Sequence, residues 1–106
     1  MPSLDVNSLL ETMTSAAAES IPAMKDTAIT AFKKLADNFV QIEEMRIAGT
    51  IDDEQCKILL DMQKKAAETV LTTEEGLSLL AAQNAINSAL KAISGTVNTS
   101  IGLKIV

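Results

Sequence analysis

Histidine, tryptophan and tyrosine are absent from these 106 residues, and cysteine occurs once. Without histidine there is no imidazole to act as a general base near neutral pH or as a nitrogen ligand for zinc or iron. A single cysteine allows no disulfide within the chain, which fits a reducing compartment. Aromatic content is 2%, two phenylalanines, so a core must be built from Leu, Ile, Val, Met and Ala. Aliphatic cores of that kind suit close-packed helices better than sandwiched sheets. There is also no basic block. Nine Lys and Arg against 14 Asp and Glu give a net charge of −5, and with no aromatic stacking platform this counts against nucleic acid as the ligand.

Long hydrophobic runs are missing too. The closest, residues 77–90, is interrupted by Gln83, Asn84, Asn87 and Ser88, short of the roughly 18 apolar residues of a membrane span. No basic stretch followed by an apolar run opens the chain, so no cleavable secretory signal is expected. The expected location is the cytoplasm or an assembled particle or apparatus. The length suits one domain, residues 1–106, because two separate cores would each be too small to hold.

What is present is helical periodicity, and it predicts an all-α fold of four segments, at about 4–19, 22–47, 53–71 and 73–94, with a non-helical C-terminal tail over 95–106. In the first segment Leu4, Leu9 or Leu10, Met13 and Ala16 or Ala17 recur on one face. Ser20-Ile21-Pro22 then marks either a kink or a restart with Ser20 as N-cap. The second segment carries Ile29, Phe32, Leu35, Phe39, Ile42 and Met45, a sustained stripe. At the midpoint, Gly49, Ile51 and Asp52 form a hairpin turn. Gly49 suits a left-handed helix end, Asp52 with Gln55 suits a capping box, and Ile51 is placed to staple against Cys56.

Folding there pairs Ile42 with Leu59, Phe39 with Met62, Leu35 with Ala66 and Phe32 with Val70. Thr72 and Glu75 have capping-box spacing ahead of the fourth segment. Two architectures follow: an extended antiparallel hairpin with a kinked waist, or a compact four-helix bundle. In the tail, Ile101, Leu103 and Ile105 alternate as a short strand would.

From Gly76 to Val106 the only charged residues are Lys91 and Lys104. A helix with one wet face normally carries charge on it, so the fourth segment should be covered on more than one side. It reads as a central helix or as an assembly surface through Leu79, Ala82, Ile86, Leu90 and Ile93. Gln83, Asn84 and Asn87 then either bond to neighbours or face water.

Candidate chemistry is sparse. Aligning Gly49 with the glycine of a calcium-binding EF-hand loop places Glu44, Arg46, Ala48 and Gln55 at ligand positions, where Arg46 adds a cation and Gln55 lacks the bidentate carboxylate. Cys56 stands in a helix first turn, yet no histidine exists to activate it, so it reads as a small apolar packing residue. Glu43, Glu44, Asp52, Asp53 and Glu54 form an acidic tip that reads as solvated helix ends. Met24, Met45 and Met62 read as core filler. Inward Glu-x-x-His pairs of a di-metal bundle are absent.

The expectation is a non-enzymatic structural or interaction protein, with no cofactor, metal or small-molecule substrate, that partners itself or another protein. A self-assembling subunit or accessory of a larger assembly, of virion or secretion-apparatus type, leads. A small adaptor or regulator using an exposed apolar helix face is the alternative, and a membrane-active helical protein comes third, disfavoured by the amides of the fourth segment.

Overall fold

Four helices account for the chain in the computed structural model, which describes residues 4–21 and 25–102: α1 (Val6–Ala17), α2 (Asp26–Ala48), α3 (Asp53–Thr73) and α4 (Leu79–Ile101). Short connections make sequential neighbours antiparallel. α1 packs on α2 and α4, α3 packs on α2 and α4, and α2 meets α4 across the bundle, while α1 and α3 occupy opposite corners. The radius of gyration is 13.2 Å and the extents are 39 × 23 × 19 Å. An extended hairpin with arms of more than 40 residues would be about 60 Å long at 1.5 Å per residue, so the compact bundle is the architecture adopted.

The α2–α3 turn forms as its residues dictate. Gly49 has φ +73°, its N–H donates to the Arg46 carbonyl at 3.1 Å, and the Thr50 N–H donates to the Met45 carbonyl at 3.0 Å. These are the paired bonds of a Schellman helix end. Asp52 then caps α3: the Gln55 N–H donates to Asp52 Oδ1 at 2.8 Å and the Asp52 N–H donates to Gln55 Oε1 at 2.9 Å. Arg46 and Asp53 bridge the turn at 2.8 Å. At the other end of the chain Asp5 caps α1, with the Ser8 hydroxyl donating to Asp5 Oδ2 at 2.8 Å and the Ser8 N–H at 3.1 Å. Those two bonds hold the Asp5 carboxyl below the usual aspartate range.

Buried side chains from all four helices make one core, centred on Phe32 and Phe39 of α2 and closed by Ala28, Ala36, Ala82, Ala85 and Ala89. Of the predicted α2–α3 pairs, Leu35 and Ala66 do line one groove, together with Val70, while Leu59 shares a groove with Met45. The rotation of α3 differs. Its buried residues are Cys56, Leu60, Ala67 and Leu71, while Met62 is 58% exposed and therefore not filler. In a bare hairpin α3 would face α2 alone. Because α4 also packs on it, its core face turns by about one residue, or about 100°.

Boundaries around α4 differ as well. α3 runs on to Thr73, and Thr72 sits inside it with its hydroxyl bonded back to the Glu68 carbonyl at 3.0 Å, so Thr72 and Glu75 form no capping box. Ser78 caps α4, accepting from the Ala81 N–H at 3.1 Å. The non-helical tail is corrected over residues 95–101. α4 continues through Gly95 because Ile93, Val97 and Ile101 extend the core stripe by whole turns and are buried, and that burial outweighs the weak helix propensity of Thr96, Val97 and Thr99. The helix ends at Gly102, φ +77°. Residues 103–106, which include the alternating Leu103 and Ile105, lie outside the described residues. α2 takes its N-cap at Lys25 rather than at Ser20, and Pro22 and Met24 also lie outside.

Phe39 is fully buried, so Phe39→Ala should lower the unfolding free energy by about 3–5 kcal/mol in urea titration. A Cβ added at Gly49 meets no atom within 4 Å, so the cost of Gly49→Ala is conformational. It should be about 1 kcal/mol of destabilisation, whereas a glycine inside a regular helix would respond with the opposite sign.

Candidate functional site

The surface expected on the fourth segment is not a surface. Ala82, Ile86, Leu90 and Ile93 are buried inside the chain, with Ile86 at 2% exposure, and of the five residues only Leu79 stands in solvent. α4 packs on α1, α2 and α3, as α2 does on its own three neighbours; that cover explains its apolar stripe, and the open side of the helix is polar but free of acids. Gln83, Asn84 and Asn87 lie on its exposed side. Their only long-range bond is a 3.5 Å contact from Gln83 Nε2 to Glu68 Oε1, so the water-facing alternative describes them.

The turn residues have structural work. Gly49 ends α2, Asp52 caps α3, and half-buried Ile51 packs on the edge of the core. Cys56 is fully buried, and desolvation pushes its thiol above the usual range against the opposing pull of Arg46. A thiol so placed is a packing group. The calcium-loop alignment has no donor set, because Arg46 is paired with Asp53 and Gln55 is held in the capping box. Among the described residues no group of three or more His, Cys, Asp or Glu could hold a metal ion.

Glu43 was expected in the solvated acidic tip, but it is 1% exposed. The Leu4 N–H donates to its Oε1 at 3.0 Å across 39 residues of sequence. The signal for this was present: Glu43 follows Ala36 and Phe39 by seven and four residues, placing an acid on the core stripe. Glu75 does similar work at the opposite end. Lys25 gives α2 no side-chain cap, and the Ala28 N–H instead donates to Glu75 Oε1 at 3.0 Å. Glu75 thus satisfies a first-turn amide of α2, and Glu43 the amide just ahead of the α1 N-cap, each from a distant part of the chain.

The surface that is left open lies along α2 and α3. Met45, Ile51, Gln55, Ile58 and Leu59 line a nearly all-apolar groove at the turn end, and a separate groove lies between Ala31, Lys34, Leu35, Gln63, Ala66 and Val70. Ile58 and Met62 are 53% and 58% exposed. Four of the charges of α3, Asp61, Lys64, Lys65 and Glu68, border α4. No family model matches the chain, and no curated protein or solved structure matches it.

Glu43→Ala should leave the Leu4 amide without its acceptor and cost about 1–3 kcal/mol. Hydrogen exchange should show faster exchange at Leu4 with the α2–α3 amides still protected, and an unchanged Leu4 rate would remove the contact from the account.

Proposed function

We propose that the chain is a non-enzymatic interaction module, a subunit or accessory of a larger protein assembly, and that it works through the outer face of the α2–α3 hairpin. The apolar groove at Met45, Ile51, Ile58 and Leu59 supports this reading. Isolated apolar side chains on a surface are ordinary, but these line one groove, and exposed Met62 follows Ile58 by one helical turn. Contiguous apolar surface of this kind is what a partner protein covers. Among the described residues no helix is long and apolar enough to cross a membrane, which gives the membrane-active alternative no support from the bundle.

Core and contact face are separable by substitution. Ile86→Glu should bury an unpaired carboxylate and unfold the domain. Met62→Glu should leave circular dichroism and urea stability within about 0.5 kcal/mol of wild type. A photo-reactive residue at position 62 should crosslink to a protein partner, and one at exposed Lys57, on the charged side of α3, should not. Equal crosslinking from the two positions, or none from either, would defeat the reading.

A further inference from the structure

We infer that Met62 is an oxidation site, a thioether that hydroperoxides reach in the folded chain ahead of every other sulfur among the described residues. This site goes beyond the interaction reading above and does not depend on it. The described residues that carry sulfur are Met13, Met45, Met62 and Cys56, and the bundle gives them different surroundings. Met13 on α1 and Cys56 on α3 are at 0% exposure, and half-buried Met45 packs against the core from α2. Met62 is 58% exposed.

A regular helix holds it there. Met62 lies well inside α3, and the burial of Cys56, Leu60, Ala67 and Leu71 toward the core turns Met62 outward. One turn away stand exposed Ile58, Lys65 and Ala66 and half-buried Leu59. Both phenylalanines are in the core, so no ring is left on the surface of α3 to pack against the sulfur.

The co-reactant is a hydroperoxide. A lone pair on Met62 Sδ attacks the terminal peroxide oxygen, the S–O bond forms as the O–O bond breaks, and the proton on that oxygen passes to the departing alkoxide or hydroxide, which leaves as an alcohol or water. Sulfur gives up two electrons, the peroxide takes two, and the product is the sulfoxide. A thioether has no proton to lose, so the step needs no general base in a chain without histidine. Cys56 reacts only as thiolate, and burial pushes its thiol up. The sulfoxide oxygen at Met62 stands in water on the outside of α3, whereas the same oxygen on Met13 would be forced into the core. Oxidation at Met62 therefore changes the surface and leaves the packing intact.

Hydrogen peroxide added to the whole folded chain, followed by peptide mass mapping, tests this. Trypsin releases Met62 in residues 58–64, Met45 in 35–46 and Cys56 in 47–57, so each gain of oxygen is read separately. Met62 should oxidise at least about tenfold faster than Met13, whose sulfur is reached only when the fold opens, and ahead of Met45 and Cys56. Circular dichroism and the urea midpoint of the chain oxidised at Met62 should match those of the unoxidised chain. In urea above the unfolding transition the methionine rates should converge, because the preference belongs to the fold. Met62→Leu should leave the rates at Met13 and Met45 unchanged. Equal rates at Met62 and Met13 in the folded chain, oxidation of Cys56 first, or a preference for Met62 that persists in urea overturns the site. A slower Met13 in the Met62→Leu variant would mean that oxidation at position 62 opens the core, and overturns a modification confined to the surface.

Discussion

Phe32 and Phe39, two turns apart on α2 and both fully buried, are the column on which the other three helices close. They are the only large rings in the chain, and every other core contact has to be made at aliphatic range. That constraint explains the alanines. Ala28 and Ala36 beside the rings, and Ala82, Ala85 and Ala89 on α4, let backbones approach where larger side chains would hold them apart. α2 and α4 can then meet across the bundle, and α1 and α3 fall to opposite corners. With so little volume per contact, the fit of each small residue matters more than in a core padded by rings.

Packing alone does not secure the ends. α1 has 12 residues, a length at which an isolated helix is marginal in water, so its position depends on partners elsewhere. Glu43 supplies one by taking the Leu4 amide into the core, and Glu75 does the same for the first turn of α2 from the α3–α4 connection. The two bonds lie at opposite ends of the bundle. Each joins a helix start to an element that the chain reaches only after a long excursion, 39 residues for one and 47 for the other, so both report the assembled topology and not local helix formation.

The parts of this fold that are legible in the sequence are those whose physics is local. Gly49, Asp52 and Gln55 act on amides within a few residues, and the turn they encode is the turn observed. The stripe on α2 is legible because it is long. Where the outcome depends on a neighbour, local reading falters. Thr72 and Glu75 look like a cap until α3 gains another half turn by burying Leu71. Val97 and Ile101 look like a fraying tail until the core extends to cover them. The missing charge on α4 signals correctly that the helix is covered, but a sequence does not distinguish cover by the same chain from cover by another. The exposure of Met62 was harder still to read, because it lies one residue step from the core stripe and the packing of α4 against α3 decides which stripe turns inward.

That choice of stripe has a consequence for how the molecule can act. The core that α4 completes is made within the chain, and what stays open is the outer surface of the helices. On α3 that surface is divided by helix azimuth: Asp61, Lys64, Lys65 and Glu68 toward α4, and Ile58, Leu59 and Ala66 toward the grooves shared with α2. Solubility alone would favour charge on both exposed flanks, because a lysine or glutamate is a better helix former than threonine at Thr69 or Thr73 and more soluble than methionine at Met62. Ile58 and Met62 give up that advantage on the exposed turns of α3, while Leu59 beside them packs on the core.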